Sequence, residues 1–134
     1  MAVVEADASR VTWVYDKTYQ LLGENRTGTS PYRNTFVFDS RGNRTLNNQG
    51  GARTTTSYDA ANQIVYSQAA GGRTTYVFDA NGNQQVVRNP DGTRVTTTWD
   101  YENQPTRYNQ PGNLTYPVVT MMYNADNRRV EKQA

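Results

Sequence analysis

The sequence predicts an all-β protein: about six tandem hairpin repeats joined into an open, twisted antiparallel sheet or solenoid. Three observations carry that prediction. An aromatic residue followed by an acid recurs as Tyr15-Asp16, Phe38-Asp39, Tyr58-Asp59, Phe78-Asp79 and Trp99-Asp100, with Tyr123-Asn124 as a sixth pair. Successive pairs lie 23, 20, 20, 21 and 24 residues apart, and self-similarity at a period near twenty marks a stack of small supersecondary units. The residues before each pair alternate with a period of two, as in a half-buried strand.

Counted from the acid as zero, position −6 is Arg10, Arg33, Arg53, Arg73 and Arg94, with Val118 in the last copy. Position −4 is threonine in every copy: Thr12, Thr35, Thr55, Thr75, Thr96 and Thr120. Position −3 is large in Trp13, Phe36, Tyr76 and Met121, and threonine in Thr56 and Thr97. One strand face therefore carries Arg, Thr and the acid, and the other carries the aromatics. The row Tyr15, Phe38, Tyr58, Phe78, Trp99 and Tyr123 is the expected core.

Each first strand should end in a turn. Three positions after the acid stand Gly42, Asn62, Gly82, Asn103 and Asn127, residue types that accept a positive φ at low cost. Asp at the head and Gly or Asn at the end fit a type I turn closed by a left-handed residue. The carboxylates of Asp16, Asp39, Asp59, Asp79 and Asp100 are expected to accept backbone N–H groups two residues on, a geometric role. A second strand follows, clearest in Gln63-Ile64-Val65-Tyr66 and Gln85-Val86-Val87. Links rich in glycine and proline lead to the next copy: Gln49-Gly50-Gly51-Ala52, Ala69-Ala70-Gly71-Gly72, Asn89-Pro90-Asp91-Gly92 and Gln110-Pro111-Gly112-Asn113. The organisation expected is a lead-in over 1–9, the array over 10–131 and a tail over 132–134.

A single copy cannot stand alone. Ordering some twenty residues costs about 20–40 kcal/mol of backbone entropy, whereas each buried apolar side chain returns only about 1.5–3 kcal/mol. Copies must cover one another to fold.

Composition narrows the function. At 134 residues the chain is one domain or a segment of something longer. Hydrophobic content is 35%, yet ten tyrosines and many threonines suit strands better than disorder. Cysteine is absent, so no disulfide framework follows; histidine is absent too, which removes the commonest general base and metal ligand. No apolar run approaches membrane-spanning length, and residues 1–10 lack the pattern of a signal peptide. Twelve of the fourteen basic residues are arginine, and the net charge is +2. The position −6 arginines lie about 20 Å along the strand from their own acid. Pairing with the acid of a neighbouring copy, as a surface charge ladder, is therefore the expectation.

The motif aromatic-Asp-x-x-Gly-Asn, preceded by Gly-x-x-Thr, resembles the YD repeat of Rhs-type proteins. Tyr58-Asp59-Ala60-Ala61-Asn62-Gln63 and Phe78-Asp79-Ala80-Asn81-Gly82-Asn83 carry it best, and the resemblance covers residues 10–131. It implies a spiralling β-sheet of the kind that forms hollow shells in bacterial polymorphic toxins and a barrel in teneurins. Such shells enclose a C-terminal toxin or peptide, and their repeats are not known for catalysis. Six copies are too few to close a shell. The resemblance thus implies a non-catalytic wall segment without a cofactor, extracellular or secreted within a larger protein. Its expected partners are adjoining repeats or further copies of the chain, end to end.

Competing readings carry less weight. Catalysis needs one site, and the aspartates recur as a set. The stretch Asp79-Ala80-Asn81-Gly82-Asn83 suggests calcium, but an EF-hand loop needs Gly and Glu where Gln84 and Pro90 stand. Nucleic acid is disfavoured because arginines and aromatics occupy opposite faces. A self-associating extracellular fibre, or an adhesive module for carbohydrate, is the alternative function; Tyr19, Tyr32, Tyr101, Tyr108 and Tyr116 lie off the core row and suit exposed contacts.

Overall fold

The computed structural model describes residues 1–133, which contain thirteen β-strands and no helix. The chain divides into two compact units, Met1 to Gly72 and Arg73 onward. The first holds β1 (Ala2–Val4), β2 (Arg10–Tyr15), β3 (Leu21–Thr27), β4 (Tyr32–Phe38), β5 (Arg44–Gln49), β6 (Ala52–Tyr58) and β7 (Ile64–Ala69). They lie side by side in chain order, each antiparallel to the next. The second holds β8 (Gly72–Phe78), β9 (Gln84–Arg88), β10 (Arg94–Trp99), β11 (Pro105–Asn109), β12 (Val118–Tyr123) and β13 (Arg129–Gln133), again antiparallel in chain order. Neither ladder closes on itself, so the architecture is an all-β, open antiparallel sheet of hairpins.

The strands form where alternation and threonine-rich, aromatic-rich composition favour a pleated, half-buried surface. They end where Asp meets a residue able to take positive φ. In every hairpin the pairing slips by one residue just before the turn, between Val14/Tyr15, Val37/Phe38, Ser57/Tyr58, Val77/Phe78, Thr98/Trp99 and Met122/Tyr123. Each recurring aromatic thus sits at a β-bulge, where the strand bends and twists into its turn.

The lead-in over residues 1–9 contains β1, which pairs Ala2 with Thr12, Val3 with Val11 and Val4 with Arg10. Residues 132 and 133 of the tail belong to β13; residue 134 lies outside the described residues. The link through Gly50 and Gly51 is a tight turn, with φ of 56° and 92°, which suits a two-residue hairpin connection, whereas the link from Gln110 runs through a loop over 110–117.

The core is not where the sequence suggested. The buried apolar residues are Val11, Phe36, Val86 and Val119. Phe38, Tyr58, Phe78, Trp99 and Tyr123 are half-buried, and Tyr15 is 46% exposed. Within each unit the sheet is one layer, so only neighbours in the same sheet cover a side chain. A residue at mid-strand is flanked on both sides, while one at the bulge stands beside a turn. Val86 also lies on the face opposite the aromatics, paired with Val77 and Thr96. Burial is shared between two faces rather than concentrated on one.

Candidate functional site: the turn edge and the bonds between hairpins

The recurring residues meet at the turn edge. In each turn the acid's Oδ1 accepts two backbone N–H groups, from positions +2 and +4. For Asp39 these are Arg41 and Asn43, each at 2.9 Å; for Asp79 they are Asn81 at 3.0 Å and Asn83 at 2.8 Å. Asp16, Asp59 and Asp100 repeat the pattern at 2.8 to 2.9 Å. In the last copy Asn124 does the same with an amide oxygen, accepting from Asp126 at 3.1 Å and Arg128 at 3.0 Å. The +3 residue closes the turn at positive φ: 87° in Gly42, 61° in Asn62, 86° in Gly82, 61° in Asn103 and 61° in Asn127.

In Asp16, Asp39 and Asp79 these bonds favour the carboxylate form. The pKa of Asp79 is lowered chiefly by the Asn83 backbone N–H, that of Asp39 by the Asn43 side chain, and that of Asp16 by the Gln20 backbone N–H. Such groups hold no proton to donate near neutrality and are weakened as bases. The arrangement supplies geometry.

A second set of bonds joins one hairpin to the next. The Tyr58 hydroxyl donates to the Arg44 carbonyl at 3.4 Å, Trp99 Nε1–H to the Gln84 carbonyl at 3.0 Å, and the Tyr123 hydroxyl to the Pro105 carbonyl at 3.1 Å. In each case the acceptor is the first residue of the preceding hairpin's second strand. The polar tip of a half-buried aromatic thus reaches a carbonyl beside the bulge, where the ladder is irregular. Side-chain amides add to this. Asn43 Nδ2 donates to Asn62 Oδ1 at 2.9 Å, while Asn83 and Asn81 Nδ2 donate to Asn103 Oδ1 at 2.7 and 3.1 Å. Arg41 Nη1 donates to the carbonyls of Asp59 and Ala60 at 3.2 and 3.1 Å. Asn62 and Asn103 therefore serve twice, as left-handed turn residues and as acceptors for the turn before.

The charge ladder is not found at Arg10, Arg33, Arg53 or Arg94. Arg10, Arg33, Arg53, Arg73 and Arg94 are exposed, and among the described residues none of Arg10, Arg33, Arg53 or Arg94 meets a carboxylate. The reason is register: Arg33 stands opposite Asn25, Arg53 opposite Asn48 and Arg94 opposite Arg88. The turn acids lie at the other end of the strand and are spent on their own turns. The ion pairs found are those of Arg26 with Glu5 at 2.6 Å and with Asp7 at 3.3 Å.

Two features escaped the sequence reading. Ser9 is fully buried; its N–H donates to Asp7 Oδ1 at 2.9 Å and its Oγ accepts the Thr29 N–H at 3.0 Å. It ties the loop before β2 to the loop before β4, and the Asp7-x-Ser9 spacing was its only signal. Tyr19 occupies the +3 turn position of the first copy at a φ of 64° with 88% of its surface exposed. Among the off-row tyrosines, Tyr101 is 89% and Tyr116 50% exposed. Tyr108 is half-buried, and Tyr32 donates to Glu24 Oε1 at 2.7 Å.

No protein-family model matches the chain, and no curated protein matches it. Solved structures do. A crystal structure described as TcdB2-TccC3-TEV superposes with a TM-score of 0.73 at 15% identity, over 96% of this chain and 8% of the other. One described as TcdB2-TccC3-Cdc42 gives 0.75 at 15% identity, over 97% and 8%. The chain thus spans about a twelfth of the length of those chains, and the likeness supports a YD-repeat-like fold.

Proposed function

We propose that this chain is a stretch of structural wall in an Rhs-type shell, contributing surface and stiffness rather than chemistry. One observation carries the reading: the recurring turn residues hold their turns, and three of the recurring aromatics bind a hairpin to its neighbour. Asp fixes the turn, Asn62 and Asn103 bridge to the turn before, and Tyr58, Trp99 and Tyr123 bind the preceding hairpin. The YD-type motif and the fold shared with the TcdB2-TccC3 structures support it.

The outward edges of β1 and β13 suit this role. All eight residues of the two strands are exposed, and their outer sides present unpaired backbone groups. In a wall those edges are taken by adjoining repeats, within a larger, secreted protein. The same edges suit head-to-tail pairing of copies, which would give open filaments. Sedimentation and negative-stain microscopy separate the two. The wall reading expects a monomer whose amides exchange fastest in β1 and β13; filaments at micromolar concentration would replace it with self-assembly. Turnover of a generic hydrolase substrate, abolished by mutating a single Asp, would overturn both.

A further inference from the structure

On the face opposite the aromatics, the first hairpin departs from the others at one position. The residue seven places after the acid points to that face between positions −2 and −4 of its neighbours. It is Leu46 in the second copy, opposite Val37 and Thr55, and Val86 in the fourth, opposite Val77 and Thr96. Tyr66, Arg107 and Glu131 hold the same place in the third, fifth and sixth copies. In the first copy it is Gly23, opposite Val14 and Thr35. Gly23 leaves a notch of about 420 Å³ in the sheet surface, within the range of small-ligand sites, roughly 300–1,000 Å³.

The notch has a defined lining. One row across the strands is Thr12, Asn25 and Arg33; the next, about 7 Å along, is Val14, Gly23 and Thr35. The second hairpin repeats the grid as Thr35, Asn48 and Arg53 over Val37, Leu46 and Thr55, so the two differ in the central residue alone. Beside Leu46 the Asn48 Oδ1 is shut off from solvent; beside Gly23, Asn25 is exposed. Among the described residues, the side chains of Thr12, Asn25, Arg33 and Thr35 form no hydrogen bond or ion pair. Glu24 contributes to the lining, but its carboxylate accepts from Tyr32 on the opposite face at 2.7 Å. The charge aimed at the notch is therefore that of Arg33.

We propose that this notch binds a sugar acid, a hydroxylated ring bearing a carboxylate. Arg33 takes the carboxylate through its planar pair of N–H groups. Thr12, Thr35 and Asn25 offer donors and acceptors that match ring hydroxyls, and Gly23 lets the ring approach the backbone. A plain carboxylate would engage Arg33 and leave the other three unused. The site is independent of the wall function and stands or falls separately.

Nuclear magnetic resonance of the labelled chain tests it, with sodium glucuronate, glucose and sodium acetate as probes. Glucuronate should shift the amides of Thr12, Gly23, Asn25 and Thr35 saturably, with glucose and acetate binding at least about tenfold more weakly. Arg33→Gln should weaken glucuronate by about ten- to a hundredfold, the worth of one charge-assisted hydrogen bond. Gly23→Leu should abolish binding while keeping the sheet, since Leu46 fills the same place and a Cβ at Gly23 meets only the Asn34 carbonyl oxygen at 3.4 Å. No saturable shift with glucuronate, equal affinity for acetate, or binding that survives Gly23→Leu would each overturn the proposal. Should Gly23→Leu fail to fold, unchanged affinity in Arg33→Gln overturns it just as well.

Discussion

Replacing Tyr19 with asparagine should make the protein more stable, although it removes an aromatic ring. Tyr19 holds the left-handed turn position at a φ of 64°, where five other copies use Gly or Asn. A left-handed backbone costs an ordinary L-residue about 1–2 kcal/mol, less for asparagine. The ring returns little, being 88% exposed and without a hydrogen bond. The bond from the Tyr19 N–H to the Asp16 carbonyl, at 3.3 Å, involves backbone atoms only and survives the change. The expected gain is about 0.5–1.5 kcal/mol. If Met1 to Gly72 melts as one cooperative unit, each kcal/mol raises its Tm by about 4–8 °C. Urea and thermal melts followed by circular dichroism measure it. Tyr19→Ala is the control: it deletes the same ring but keeps the strain, so it should gain nothing. A Tm for Tyr19→Asn at or below that of the parent, or equal gains for both variants, would refute the reasoning.

Three further outcomes are expected. Trp99→Phe removes the donor to the Gln84 carbonyl and should cost about 1–2 kcal/mol in urea unfolding; an unchanged midpoint would show that this bond does not hold one hairpin to the next. Phe36→Ala, at a buried mid-strand site, should cost about 3–5 kcal/mol, and Phe78→Ala, half-buried at a bulge, distinctly less; the reverse order would place the core in the aromatic row after all. The lowered pKa of Asp16, Asp39, Asp79 and Asp91 means that folding releases protons in acid. Their contribution is complete above the unfolded value of 3.8 and is lost as pH falls through the lower folded values. Asp79→Asn keeps the acceptor, as Asn124 does in the last copy, and so should flatten the acid limb of the stability curve without altering the turn. An acid limb identical to the parent's would show that Asp79 titrates alike in both states.

The sequence by itself determined the elements and their punctuation. Alternation around Thr35, Thr55 and Thr75 defined strands, and Asp followed three places on by Gly or Asn defined turns, because these depend on φ preferences and bonds within five residues. It did not determine what covers what. Whether Phe78 or Val86 is buried depends on strands flanking it on both sides. Whether Arg53 meets an acid depends on a register that sets Asn48 opposite it. The bond from Trp99 to Gln84 spans fifteen residues and exists only because a bulge brings the indole against the previous hairpin. Gly23 shows the difference most clearly: in the chain it is one small residue in a strand, and only pairing with Val14 and Thr35 makes its missing side chain a notch. Local chemistry is written residue by residue; enclosure and partnership arise when strands distant in the chain are laid side by side.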